Sequence, residues 1–147
     1  MKLIAILILS TSTLFAQVEI PKKEHKTISS ITNEVDSLLY HNFTSYLVDN
    51  GYMLENENLE RKTFVISYKD FKYQKNFKNF FYFRIKDKTI YLTGKWKSNL
   101  SLVLSGVSTE NSEFEWNYSK SGANGKMHQE MTEILKGYCE TCKLMYN

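Results

Sequence analysis

One proline, six glycines and two cysteines among 147 residues exclude several kinds of protein at once. So few turn-formers rule out a collagen-like or proline-rich extended chain, and so few thiols rule out a dense disulfide scaffold. Charge of one sign is also scarce. Nineteen Lys and Arg against 16 Asp and Glu give a formal net charge of +3, too little for general attraction to nucleic acid or anionic membranes, so no nucleic-acid partner is expected. Catalytic signatures are missing as well: there is no His-Glu-x-x-His or calcium-loop pattern, Gly122 and Gly125 form no phosphate loop, and Ser105-Gly106 is no nucleophile elbow. No catalytic residue, metal or cofactor is expected. What the chain does have is 42% apolar and 14% aromatic residues, enough for the packed core of one domain.

Residues 1–16 read as an export leader. Lys2 precedes an apolar run at 3–9, a small-polar stretch follows, and Ala16 supplies a small residue for cleavage. The run is far shorter than the roughly 20 residues that span a bilayer, so the mature chain is expected to carry no transmembrane segment. Cleavage near Ala16 places the protein in the periplasm or outside the cell. Seventeen of the basic residues are Lys, and with 12 Asn this composition is associated with AT-rich bacterial genomes.

After a polar, flexible arm at 17–26, the spacing of Ile28, Ile31, Val35, Leu38, Leu39, Phe43, Tyr46 and Leu47 predicts an amphipathic helix over 27–50. Thr27, Ser29 and Ser30 offer N-caps, and Asn50-Gly51 is a fitting stop. Asn42 falls near the apolar centre of that helix and requires a hydrogen-bond partner or a wet edge. The period then changes to two. A hairpin is expected over 52–69, with Phe64 and Ile66 on one face and Thr63 and Val65 on the other. A second hairpin over 79–97 turns at Asp87-Lys88. Ile85 then faces Ile90, Phe83 faces Leu92 and Phe81 faces Gly94, giving one apolar face. Leu100, Leu102 and Leu104 suggest another strand, and Phe114, Trp116 and Tyr118 a last one. A C-terminal helix follows with Met127, Met131, Ile134, Leu135 and Tyr138 on one side, Asn124 as N-cap and Gly137 as stop. The predicted class is α+β: a hairpin-rich antiparallel sheet of four to six strands, with an N-terminal and a C-terminal helix packed on one face, all in a single domain over 27–147. This element order is similar to that of cystatin-like, helix-grip and TATA-box-binding-protein-like sheets. The resemblance is one of layout and brings no functional residue with it.

Charge is unevenly placed. Residues 61–97 carry eleven basic side chains and two acids, whereas 17–60 and 98–147 are net acidic. On the face of the second hairpin turned away from the core, this basic block interleaves cations with rings: Phe80, Tyr82, Arg84, Tyr91 and Lys95. Lys72, Lys75 and Lys78 add steering charge. Rings beside cations suit an acidic protein surface or an anionic glycan. The expected function is a small exported, non-enzymatic binding or accessory module of the bacterial cell envelope, with this face as its contact surface. Two alternatives remain. One is a small secreted hydrolase using His128 with Glu130 or Glu133, although helix geometry puts both carboxylates on the polar side. The other is a thiol-redox accessory protein using Cys139 and Cys142. In an exported chain that Cys-x-x-Cys pair is most simply a local disulfide, provided the backbone leaves regular helix after Gly137.

Overall fold

A computed structural model describes residues 21–67, 77–98, 103–104, 107–108 and 113–147. The leader, Lys72 and Lys75, and the strand positions Leu100 and Leu102 lie outside the described residues. In chain order the elements are β1 (Ile28–Ile31), α1 (Asp36–Asp49), β2 (Met53–Asn58), β3 (Thr63–Ser67), β4 (Phe77–Lys86), β5 (Thr89–Ser98), β6 (Val103–Leu104), β7 (Val107–Ser108), β8 (Glu113–Glu115), α2 (Gly122–Tyr138) and β9 (Leu144–Tyr146). Among the described residues, strands β6 and β7 form a two-stranded sheet of their own. The other seven form one antiparallel sheet in the order β2-β3-β4-β5-β1-β9, with β8 also on β5.

The α+β class is as expected, but the sheet is wider than four to six strands and the first helix is shorter than expected. Ile28–Ile31, expected to begin that helix, is a strand, and α1 starts only at Asp36. Two forces decide this. Ile28, Ser29, Ser30, Ile31 and Thr32 are all weak helix formers, β-branched or hydroxyl-bearing. One edge of β5 would otherwise lie open, and β1 fills part of it, with Ile28 opposite Leu92 and Ser30 opposite Ile90. An isoleucine pair spaced by three fits a helical stripe and a strand alike, so period alone cannot separate them. Three residues of the expected stripe, Ile31, Val35 and Leu38, are in fact exposed. The C-terminal tail supplies the other unexpected strand, β9, which pairs with β1.

Both hairpins form. In the second, residue numbers of facing partners pair Ile85 with Ile90, Phe83 with Leu92 and Phe81 with Gly94, as the Asp87-Lys88 turn requires. Asp87 and Lys88 both have positive φ, 52° and 58°, the two-residue turn whose twist matches a hairpin. Asp36 holds it from α1: its carboxylate accepts the backbone N–H of Asp87 at 3.1 Å and of Lys88 at 2.7 Å.

The core lies between the sheet and the two helices. Leu39, Phe43 and Leu47 from α1 and Met127, Met131, Ile134 and Leu135 from α2 are buried against Phe64, Ile66, Phe81, Phe83, Ile85, Ile90 and Leu92. Gly94 lets α2 come close, since any side chain there would collide with buried Met127. Asn42 finds its partner in Glu34, which accepts from Asn42 Nδ2 at 2.6 Å and from the Tyr138 hydroxyl at 2.7 Å, tying α1 to the end of α2. The end of the expected arm is held as well: Tyr118 N–H donates to His25 O, and Lys26 N–H donates to Asn147 O.

Candidate functional site

Because the helices cover one face of the sheet, the outward side chains of the other face are left to each other. Facing partners across an antiparallel pair share a face. The registers therefore set two rows across β3, β4 and β5: Thr63, Arg84 and Tyr91 in one, Val65, Tyr82 and Thr93 in the next. These rows floor a concavity of about 590 Å³ that is also lined by Thr27, Asn56 and Lys86. Asn56 sits where the pairing of β2 and β3 shifts register, with φ at +50°, the kind of bulge that re-aims a side chain. Tyr82 and Tyr91 are half-buried and Arg84 is exposed.

The next row carries Phe80 and Lys95, which lie beside the concavity and not in its lining. Their surroundings are already matched. Lys95 Nζ stands 5.7 Å from the Tyr82 ring centroid and Lys97 Nζ 5.5 Å from that of Phe80. Both ammonium groups reach Glu113 on β8, Lys95 at 3.5 Å and Lys97 at 3.3 Å, while Lys26 pairs with Glu115 at 3.0 Å. The hydrogen bond from Lys97 holds the Glu113 carboxyl below the usual carboxylate range, and Lys26 does the same for Glu115. Lys78 is exposed on β4 opposite Lys97 and outside the concavity. Positive charge is left where β8 does not reach: Arg84 forms no ion pair with another described residue, and Lys86 meets only the exposed Asp87, at 3.6 Å.

Of the residues singled out in the sequence, the structure thus brings Tyr82, Arg84 and Tyr91 together around one hollow and sets Phe80, Lys95 and Lys78 outside it. Thr27, Asn56, Thr63, Val65 and Lys86 also line the hollow and were not singled out in the sequence, whereas Thr93 lies on the same outward face of the second hairpin that the alternation gives to Tyr91 and Lys95. The alternation of β3 already put Thr63 and Val65 on one face; what was lacking was the pairing of β3 with β4. Thr27 was hidden by the helical reading of the segment that follows it.

His128 is not assembled with either carboxylate. Its ring lies among aromatic neighbours, 6.2 Å from Trp116 and 4.9 Å from Tyr118 between centroids, and Nε2 is 3.3 Å from the Tyr146 hydroxyl. Burial pushes the imidazole pKa down. Glu133 accepts from Gln129, and Glu130 corrects the helical-wheel expectation: it is buried, accepting from Asn79 Nδ2 of β4 at 3.3 Å. His128 lines neither the hollow at Tyr82 and Tyr91 nor the smaller concavities at Gly94–Lys95 and at Tyr138–Cys142.

Cys139 and Cys142 are disulfide-bonded, with Cα atoms 5.3 Å apart. The backbone leaves the helix at Cys139, and Lys136 Nζ ties the turn by donating to Glu140 O and Cys142 O. The pair stands at the negative end of the α2 dipole, where a thiolate is disfavoured, unlike the helix N-terminus that activates redox cysteines.

Among the described residues no helix is long and apolar enough to cross a membrane. No protein-family model matches the chain, and no curated protein is detectably similar to it, so the functional reading rests on this geometry alone.

Proposed function

We propose that the protein is a small exported, non-enzymatic binding module of the bacterial cell envelope. The leader over 1–16 is removed, the mature domain works in the periplasm or outside the cell, and it holds an anionic partner on the uncovered face of its sheet. The observation that carries this reading is the hollow of about 590 Å³ bounded by Tyr82, Arg84 and Tyr91 on a face that neither helix covers. Concave surfaces that mix apolar rings with a few converging polar groups are the usual form of ligand sites. The Cys139–Cys142 bridge supports the compartment, since disulfides persist where the surroundings are oxidising.

The test is a triple replacement of Tyr82, Arg84 and Tyr91 with Ser, probed against immobilised polygalacturonate, hyaluronate and poly-glutamate. The native chain is expected to be retained by at least one of these polymers and the variant by none, with unchanged circular dichroism. Unfolding of the triple variant would show that the face is part of the core and would overturn the assignment.

A further inference from the structure

We infer that the hollow on the open sheet face binds an acidic oligosaccharide, a short run of uronic-acid sugars lying across β3, β4 and β5. This deepens the proposed function and rests on it. Three features of the hollow converge on that chemistry. Tyr82 and Tyr91 are diagonal neighbours on β4 and β5, and such side chains sit about 7–8 Å apart. Adjoining pyranose rings of one oligosaccharide can rest their C–H faces on two aromatic rings so spaced. Around the rings stand Thr27, Thr63, Thr93 and the Asn56 amide, short groups that donate and accept and so suit ring hydroxyls. At one end stands Arg84, whose planar guanidinium can take a sugar carboxylate with two parallel hydrogen bonds, with Lys86 beside it.

Charge distribution separates this ligand from the acidic surface of another protein. A polyanionic partner needs cations spread over a wide area. On this face Lys95 and Lys97 are satisfied by Glu113 and Lys26 by Glu115, and those carboxylates would repel it. Within the hollow the unpaired positive charge is Arg84 with Lys86 beside it, enough for one or two carboxylates among many hydroxyls, while Lys78 lies outside the hollow.

The experiment is calorimetric titration of the native chain with tetragalacturonate, its fully methyl-esterified form, a hyaluronate tetrasaccharide and an octa-glutamate peptide, repeated with Arg84→Gln and Tyr91→Leu. Binding of at least one uronate oligomer is expected, weakened about tenfold or more by Arg84→Gln. The methyl ester should bind more weakly and be indifferent to Arg84→Gln, while Tyr91→Leu should weaken acid and ester alike. Octa-glutamate binding that depends on Arg84, with no uronate binding, would overturn the sugar assignment and leave the face in use. Absence of binding to every probe, or amide shift changes in nuclear magnetic resonance spectra confined to residues off this face, would overturn both.

Discussion

Thr132 and His128, both on α2, show how much a single polar group costs when the core closes over it. Thr132 Oγ1 is buried with no hydrogen-bond partner among the described residues, as is Ser30 Oγ on β1. An unpartnered buried hydroxyl forfeits its hydration, a penalty of about 1–3 kcal/mol. Thr132→Val keeps the shape and removes the oxygen, so it is expected to raise the urea midpoint by an amount equivalent to about 1 kcal/mol. His128 carries a pH signature. Its pKa in the fold is pushed below the ordinary value by burial, so the unfolded chain takes up the proton first as pH falls. The stability that neutral His128 contributes is complete above about pH 6.5 and is lost on acidification through the lowered folded value. Urea midpoints of the native chain and of His128→Gln, compared at pH 7.5 and pH 5, should converge as pH falls; a constant gap would contradict the assignment. At this scale the sequence was legible where period set the environment, as for Ile85 and Ile90. It misled at Glu130, because a helical wheel does not know that Asn79 of a neighbouring strand will reach it.

Among elements, the β4–β5 hairpin was readable down to its register because a two-residue turn and the alternation of Phe81, Phe83 and Ile85 over-determine it. The turn itself is strained. Asp87 and Lys88 occupy the left-handed region that asparagine and glycine tolerate better, at roughly 1 kcal/mol for a residue with a full side chain. Replacing the pair with Asn-Gly keeps the backbone N–H groups that Asp36 accepts. It is expected to stabilise the fold by about 1 kcal/mol and to show as a higher melting temperature. Strand β1 was not readable, because its pairing with β5 and β9 joins residues more than fifty positions apart. Nothing local reports such a partner, and a helix explained its apolar spacing equally well. The candidate site shares that history. Its two tyrosines, its arginine and Thr93 came from one hairpin and were visible, whereas Thr27 and Thr63 came from segments whose neighbours only the sheet decides.

For the molecule as a whole, asymmetry is the organising fact: among the described residues both helices pack on one face of the sheet and neither covers the other. The disulfide acts at the rim of this body. Its short ring is worth about 2 kcal/mol in the loop-entropy model, and its position between α2 and β9 directs that effect to the last strand. Cys139→Ser with Cys142→Ser should lower global stability by about that amount. Hydrogen exchange at the amides of Leu144–Tyr146 should accelerate more than at β4 and β5; equal acceleration everywhere would place the bridge's effect in the core instead. The strand that comes first in the described chain, β1, is clasped between β5 and the last strand, β9. Its slot is complete only when residues 144–146 are in place, so the β2-β3-β4-β5 part of the sheet can pair before β1 is enclosed. Such delay slows folding, as contacts between distant positions generally do. It also makes β1 the seam of the sheet, the strand that joins when its two distant neighbours have met.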